Sequence, residues 1–396
     1  MLGIPSCDNR NTQNMVRLLG EPESLRIHYQ LQSKNSTGDR MKIAYGLSGE
    51  GRGHSMRASA LGTQLIAAGH EITFFTSGDA ELPLTEKFGA QRIKFLPTPK
   101  FHLVDGKLNV FKTSVDFVKF MSSERRRILA LSKMLSQENF DLVISDFEPL
   151  LSRAALNANI PIIAFNSQNF VNLCKIPLKY RHLSLPIHFV NSFIVPNCDY
   201  TVVSKPIRIQ DKKHKNATLV GPMIRQHIIG EKWYGDKNHI LMYRSHALDW
   251  PTEDIVEWAN SKGLKVYFYG NLTPEEEKLV SEDFVHRPIS ETQFVKDMVD
   301  SKLVIGTSGT QLIGELAYLG IPAILIPEKG QTEQELNAYL ANDSYPNMAT
   351  ISSQEATPER LDELVANLDG LGIKHSEDGT KDAYAAIEKW IAQLKT

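Results

Sequence analysis

The chain has 396 residues, enough for two or three domains that each bury an apolar core. Its 44 lysines and arginines nearly balance 46 aspartates and glutamates, so the basic excess expected of a nucleic-acid-binding protein is missing. Three scattered cysteines argue against a disulfide framework or a zinc site and fit free thiols in a reducing compartment. Neither an apolar run of about eighteen residues nor an N-terminal signal segment is found, so we expect a cytoplasmic protein without a spanning helix.

Residues 1–40 are polar and lack sustained periodicity, and we expect an extension of unknown role outside the fold. The first convincing strand, Lys42–Leu47, leads into a glycine-rich loop and then into a helix predicted over Met56–Ala68. The next strand ends without the acidic residue that a dinucleotide-binding unit needs, which disfavours a dinucleotide site. Residues 41–222 are expected to form the first domain.

His54 lies where the glycine loop enters the predicted helix. The positive end of a helix dipole disfavours an imidazolium, so a neutral imidazole is available as a general base. The alternative is that His54 only caps the helix. Four neighbours are candidates for binding phosphate or acceptor groups: Gly51, Arg52, Gly53 and Arg57. The last of these is equally well explained as a solvated helix residue.

A second candidate follows the strand predicted over Asp141–Ser145. Asp146 stands at the carboxyl end of this strand, and such ends line the ligand crevice of a parallel sheet. It is therefore a candidate either to orient His54 or to hold an acceptor hydroxyl. Capping of the helix that begins near Pro149 is the alternative.

Two basic segments of the first half bear on membranes. The helix predicted over Val115–Leu135 carries three consecutive arginines at 125–127, which favour either a solvated face or attraction to an anionic membrane. Residues 173–196 mix apolar and basic side chains with several prolines. This mixture is typical either of buried helices or of an amphipathic surface that meets a lipid-linked acceptor.

A polar stretch at 223–238 is expected to link the first domain to a second one at 239–375. Here a strand over Ser301–Ile305 precedes a glycine turn, a helix over Thr310–Leu319 and a strand over Ala323–Ile326. The helix N-terminus beside the glycine turn offers unpaired amide groups and a positive dipole, which suit a diphosphate. An ordinary turn of a doubly wound domain is the other interpretation.

Glu315 lies early in this helix, where its carboxylate can accept hydrogen bonds from ribose hydroxyls. A polar loop is predicted to follow the next strand. The complete pattern consists of Ser308-Gly309, Glu315, the Gly-Ile-Pro at 320–322, Glu333-Gln334 in the polar loop, and Asn337-Ala338. It resembles the donor-nucleotide signature of GT-B glycosyltransferases, in particular the branch of the peptidoglycan N-acetylglucosaminyltransferase and the small-molecule UDP-glycosyltransferases.

The resemblance implies a role for each matching residue. The diphosphate would be bound by Ser308, Gly309, Thr310 and Gln311, the ribose by Glu315, the donor sugar by Glu333 and Gln334, and the uracil edge by the backbone of Ile289. His54 would be the general base of the reaction. Two positions depart from the family pattern. Many relatives have aspartate at the position of Glu333, and Arg244 stands where relatives have glycines, so its side chain is expected to contact the diphosphate.

The fold implied is α/β of the GT-B type, with two doubly wound, Rossmann-like domains facing a cleft. The first domain would bind the acceptor and the second the nucleotide sugar, and a helix at 376–396 would cross back to the first domain. The implied activity is inverting transfer of a hexose from a UDP-sugar to an unknown acceptor hydroxyl, with a cell-envelope glycan or lipid-linked acceptor at a membrane surface as candidates.

No Asp-x-Asp motif occurs in the sequence, so we expect neither a metal nor a cofactor. The charge on the leaving UDP must then be stabilised by the helix dipole, amide groups and arginines. Two alternatives remain open. A UDP-sugar 2-epimerase shares the architecture, and a non-catalytic nucleotide-sugar-binding subunit would bind UDP without turnover.

Overall fold

The computed structural model describes residues 40–99, 103–104, 107–108, 110–194, 198–244, 250–288 and 290–394. Within these residues the chain forms two parallel β-sheets, one in each half, and a small antiparallel hairpin. The predictions for residues 1–39 and for Ile289 lie outside the described residues.

The first half builds a seven-stranded parallel sheet with the strand order β3-β2-β1-β6-β7-β8-β9. The strands of this half are β1 (Lys42–Leu47), β2 (Glu71–Thr76), β3 (Ile93–Phe95), β4 (Leu103–Val104), β5 (Lys107–Leu108), β6 (Leu142–Asp146), β7 (Ile162–Asn166), β8 (Tyr200–Ser204) and β9 (Ala217–Val220). Its helices are α1 (Arg52–Ala67), α2 (Glu81–Phe88), α3 (Val110–Ser123), α4 (Arg125–Gln137), α5 (Pro149–Ala158), α6 (Phe170–Leu173) and α7 (Arg181–Ile194).

The second half builds a six-stranded parallel sheet with the order β12-β11-β10-β13-β14-β15. Its strands are β10 (His239–Tyr243), β11 (Lys265–Tyr269), β12 (Phe284–His286), β13 (Val304–Gly306), β14 (Ala323–Leu325) and β15 (Met348–Thr350). Its helices are α8 (Thr252–Ser261), α9 (Glu291–Asp300), α10 (Thr310–Leu319), α11 (Thr332–Ser344), α12 (Pro358–Ala366) and α13 (Thr380–Leu394).

The burial of the central strand β6 shows that the first sheet is covered on both faces. β6 is buried at every position, as expected for a strand whose two faces both meet other elements. The strand order reverses between β1 and β6 in the first sheet, and between β10 and β13 in the second. Ligand crevices of open α/β sheets lie at the carboxyl ends of the strands at such reversals.

The last helix does not stay with the second sheet. Ala383, Ile387 and Ile391 of α13 belong to the apolar core of the first sheet, where Ile43 and Leu65 are among their neighbours. The chain therefore crosses between the two halves twice, once after β9 and once before α13.

A second contact joins the halves beside the cleft. Leu336 and Leu340 of α11 share one apolar core with Leu183 and Ile187 of α7. Such a buried apolar interface holds the second domain against the first along one side.

Three predicted elements differ in the structure. The polar loop expected after β14 is wrong, because Glu333, Gln334 and Asn337 lie in the helix α11. The single helix predicted over Val115–Leu135 is divided into α3 and α4. Serine hydroxyls at the end of α3 bond back to carbonyls of the preceding turn, which weakens helical continuation. Finally, α1 begins at Arg52, so its cap is Gly51 and not His54.

Candidate active site

The loop between β1 and α1 is shaped by its glycines. Gly51 caps α1 with a φ of +73°, in the left-handed region that other residues rarely adopt. A Cβ on Gly49 would lie 2.3 Å from the carbonyl oxygen of Ser77, so this position has no room for a side chain. The Gly51 amide donates to Asp79 Oδ2 at 3.1 Å. The first turn of α1 is thereby fixed where the strand order reverses.

His54 and Asp146 meet at this reversal, although they are 92 residues apart in sequence. His54 Nδ1 lies 2.9 Å from Asp146 Oδ1, and Asp146 is completely buried. Phe147 stacks on the imidazole with ring centroids 6.2 Å apart and planes 17° apart. The ring of His54 is therefore fixed both by a hydrogen bond and by an aromatic neighbour.

Arg57 completes this group from the next turn of α1. Its Nε lies 3.2 Å from Asp146 Oδ2 and its Nη2 lies 3.0 Å from Asp146 Oδ1. The side chain is only 3% exposed, so its interpretation as a solvated helix residue is wrong. Both carboxylate oxygens of Asp146 are paired with a guanidinium, a strong and geometrically specific form of ion pair.

Asp146 and Arg57 both act on the imidazole nitrogen Nδ1 of His54. Burial raises the pKa of the carboxyl, but Arg57 and His54 outweigh this effect and hold the pKa below its usual value. An ionised carboxylate only accepts hydrogen bonds, so its bond with His54 forms in the tautomer that has a proton on Nδ1. Arg57 Nη2 lies 2.9 Å from the same nitrogen and donates to it only in the other tautomer. In the first tautomer of the neutral ring, Nε2 is unprotonated and can accept a proton from a hydroxyl.

In the second domain the turn between β13 and α10 is held by side chains of α11. Ser308 Oγ donates to the carbonyl oxygen of Gln334 at 2.7 Å, and Asn337 Nδ2 donates to that of Ser308 at 3.2 Å. The side-chain oxygen of Gln334 accepts from the Glu328 amide at 3.1 Å. These polar side chains therefore shape the turn.

The N-terminus of α10 is open. Gly309 occupies the cap position, no described side chain caps the helix, and a Cβ on Gly309 would meet no described atom within 4 Å. Thr310 Oγ1 lies 3.2 Å from the Ser167 hydroxyl, which follows β7 of the first domain. The first amides of α10 thus lie where the two domains meet, and this is a favourable position for an anion.

Glu315, one turn further along α10, is completely buried and paired. Arg225 Nε donates to Oε1 at 2.6 Å and its Nη2 pairs with Oε2. Gln311 Nε2 also donates to Oε1 at 2.7 Å, and the same group donates to the carbonyl oxygen of Met223 at 2.7 Å. Glu315 and Gln311 are therefore tied to the segment that connects the domains.

Two pKa shifts show that charges of the first domain act on the second. Burial raises the pKa of Glu333 to about 7, and the positive charge of Arg57 opposes this rise. Burial also raises the pKa of Tyr243, at the end of β10, while Arg225 and Arg52 oppose the rise. The charges of Arg52 and Arg57 on α1 therefore act on side chains of the second domain.

The profile of glycosyl transferase family 1 matches residues 41–369, a range that includes both sheets and all the residues just described. The chain belongs to glycosyl transferase family 1.

An uncharacterised glycosyltransferase of Methanosarcina mazei is 26% identical over 346 residues, which cover 79% of this chain and 86% of the relative. The calicheamicin glycosyltransferase CalG4 superposes with a TM-score of 0.62 at 14% identity, covering 91% of this chain and 100% of CalG4. A Listeria monocytogenes protein assigned as a UDP-N-acetylglucosamine 2-epimerase gives a TM-score of 0.59 at 14% identity, with 90% and 98% covered. At these identities the structures show the fold, which is GT-B as the sequence predicts.

In this glycosyltransferase, Arg244 is directed away from the cleft. Its side chain is completely buried, its Nη1 donates to Glu276 Oε1 at 2.7 Å, and its Nη2 donates to the carbonyl oxygen of Asn271 at 2.7 Å. It also lies over the ring of Phe268 at 5.1 Å. The expectation that its side chain contacts the diphosphate does not fit this geometry, because the bonds to Glu276 and Asn271 hold the guanidinium inside the second domain.

Sequence reasoning missed the involvement of Arg225 and the true environment of Arg57. Arg57 lies three residues after His54, so both share one face of a helix, and this spacing could have indicated the contact. Arg225 gave no such signal, because it stands in a polar segment without periodicity. Its neighbours Ile224 and Ile228 are nonetheless buried in the core of the second domain.

Two features are absent from the part of the chain that the structure describes. None of its helices is long and apolar enough to cross a bilayer. Among the same residues, no three His, Cys, Asp or Glu side chains are grouped in a way that could hold a metal ion.

Proposed function

We propose that this glycosyltransferase moves a hexose from a UDP-sugar to an acceptor hydroxyl with inversion, and that His54 is the general base. The observation that carries the proposal is the 2.9 Å hydrogen bond between His54 Nδ1 and buried Asp146. It leaves Nε2 to take the proton as the hydroxyl oxygen attacks C1 and the bond from C1 to the UDP oxygen breaks. One direct displacement inverts the anomeric carbon, whereas retention needs a second displacement.

The leaving diphosphate would be bound at the open end of α10, by the amides that follow Gly309 and by the hydroxyl of Thr310. Exposed Arg52 lies across the cleft and would add positive charge as UDP departs. The donor sugar would lie beside Glu333 and Gln334. Gly51 and Gly53 open space at the start of α1 for phosphate or acceptor groups, and the uracil contact of Ile289 stays a prediction.

The first experiment incubates the full chain with UDP-glucose, UDP-galactose or UDP-N-acetylglucosamine and a panel of hydroxyl acceptors. We expect release of UDP and a product whose anomeric configuration, measured by NMR, is opposite to that of the donor. Consumption of UDP-N-acetylglucosamine without UDP release, yielding an epimer, would identify an epimerase instead. Binding of UDP without any turnover would support a non-catalytic subunit.

We expect turnover with the best of these donors to persist in excess EDTA. The positive charges proposed to stabilise UDP are helix amides and arginines, which a chelator does not remove. The measurement is the rate of UDP release before and after chelation, with a manganese-supplemented sample as the control. Loss of activity in EDTA and its recovery with manganese would contradict metal independence.

An apolar surface on α7 favours a lipid-linked acceptor. Leu185, Phe189 and Phe193 recur every four residues and are 66%, 43% and 42% exposed, and we call them the α7 stripe. Exposed Arg181 and His182 begin the same helix. Aromatic side chains beside cations suit the interface of an anionic membrane. We propose that the α7 stripe brings this domain to such a membrane.

A flotation assay with phosphatidylglycerol-containing vesicles tests this surface. Replacing Phe189 and Phe193 together with serine should lower membrane partitioning by about tenfold or more, because burial of one phenylalanine side chain is worth about 1.5–3 kcal/mol. Val365→Ser is a matched control, since Val365 is a 37% exposed apolar residue on α12 of the other domain. Equal flotation of the double variant and the control would reject the α7 stripe as a membrane contact.

A further inference from the structure

The pairing of Glu315 bears on which nucleotides the donor site accepts. Glu315 already accepts hydrogen bonds from Arg225 Nε, Arg225 Nη2 and Gln311 Nε2. A carboxylate offers about four lone-pair sites, so most of its capacity is used by the protein itself. The side chain of Glu315 is completely buried, whereas that of Arg225 is 11% exposed. The exposed part of this ion pair therefore belongs to the guanidinium and not to the carboxylate.

The position of Arg225 is fixed from several directions. Its guanidinium lies 5.0 Å from the centre of the Phe294 ring, in a cation–π contact. The adjacent Ile224 amide donates to Asp378 Oδ1 at 3.2 Å, and Gln311 ties Met223 to α10. Breaking the ion pair between Arg225 and Glu315 to let a ligand bind Glu315 would therefore disturb the packing of residues 223–225.

A binding site discriminates strongly against a ligand that lacks one hydroxyl when the missing hydroxyl leaves a buried polar group of the protein without a partner. Glu315 keeps its protein partners whether or not a ribose hydroxyl is present. We propose that Arg225 makes this donor site nearly indifferent to the ribose 2′-hydroxyl, so that ribonucleotides and 2′-deoxyribonucleotides bind with similar affinity. This inference rests on the proposed function, in which UDP is the donor nucleotide, and on the ribose position beside Glu315 that the sequence predicts.

Calorimetry with UDP and dUDP tests this directly, because the two ligands differ only at the 2′ position. We expect their dissociation constants for the wild-type protein to agree within about threefold. A hydrogen bond from the hydroxyl to an otherwise unpaired carboxylate would correspond to roughly ten- to 150-fold. A preference for UDP of tenfold or more in the wild-type protein would overturn the inference.

Variants of Arg225 give a second readout that a purely structural role would not change. In Arg225→Gln the carboxylate loses its bidentate partner, so the preference for UDP over dUDP should rise to at least about tenfold. Arg225→Lys keeps the charge but not the planar fork, and it should show a smaller rise even if the glutamine variant does not fold. An unchanged ratio in folded Arg225→Lys, and in Arg225→Gln where that variant folds, would contradict the role of Arg225.

Arg208→Gln is the matched control. Arg208 also lies over an aromatic ring, that of Tyr345 at 5.4 Å, but it bonds to the carbonyl oxygen of His375 outside the donor site. It should leave the UDP to dUDP ratio unchanged. A failure of the proposed function can be distinguished from a failure of this inference. If the folded wild-type protein binds neither nucleotide, the proposed UDP donor is wrong and the inference falls with it, whereas strong preference for UDP overturns the inference alone.

Discussion

Replacing His54 with alanine is expected to lower turnover by ~10²–10⁴ while UDP affinity stays unchanged. The imidazole is the proposed proton acceptor, whereas the proposed site of the donor nucleotide lies in the other domain. Asp146→Asn should give a smaller loss, because it removes the negative partner of Nδ1 and leaves Nε2 in place. Single-turnover rates of transfer, together with calorimetric UDP binding, measure the two effects separately.

His70→Ala provides a matched control for this experiment. His70 is a second buried histidine of the first domain, and its Nε2 lies 2.8 Å from an acidic oxygen, Glu388 Oε1. It packs beneath α13 and not at the cleft, so its loss should affect stability and leave the chemical step intact. Near-normal transfer by folded His54→Ala would make Asp146 the leading candidate for the base.

Replacing Arg57 with methionine is expected to destabilise the first domain by about 3–5 kcal/mol at neutral pH. The substitution leaves the fully buried Asp146 carboxylate without its guanidinium partner, and an unpaired buried charge is costly. The Arg57→Met, Asp146→Asn double variant should recover most of this loss, because the amide carries no charge. Urea unfolding of the four proteins in this mutant cycle measures the coupling, with exposed Arg126→Met as a control of small effect.

The pH dependence of the same series has a defined sign. In the wild-type protein the pKa of folded Asp146 is lowered, so its contribution to stability is present above the unfolded pKa, about 3.9, and is lost as the pH falls toward the folded pKa. Without Arg57, burial raises the pKa, and protonation at acidic pH removes the buried charge. The stability difference between wild type and Arg57→Met should therefore shrink on acidification. A constant difference would show that packing, not charge, is what Arg57 supplies.

The pairing of His54 with Asp146 could be predicted from the sequence, because parallel strands place their carboxyl ends along one edge of a sheet. His54 follows the end of β1 and Asp146 ends β6, so the strand assignments alone bring them together. The contacts of Arg244 could not be predicted in this way. Its partner Glu276 lies 32 residues away, and only tertiary folding turns the guanidinium into the domain.

The helix α11 was predicted as a loop for a different reason. Its buried face alternates apolar residues such as Leu336 and Leu340 with Gln334 and Asn337. The side chain of Gln334 accepts from the Glu328 amide, and that of Asn337 donates to the carbonyl oxygen of Ser308. The apolar period that indicates a helix is therefore interrupted by residues that the fold needs. The strands β3 and β12 are each three residues long and include a lysine and a histidine, so they lack the continuous apolar runs that indicated β13 and β14.

The two-sided use of α7 has a consequence for engineering. One side of this helix packs Leu183 and Ile187 against α11, while the α7 stripe occupies the other side. A chimera that joins the first domain to the second domain of another protein would receive a new α11 and lose α13 from beneath the first sheet. Grafts that keep α11 and α13 native, and exchange only the loops at the carboxyl ends of β10 and β13, would preserve both apolar contacts while changing the proposed nucleotide site.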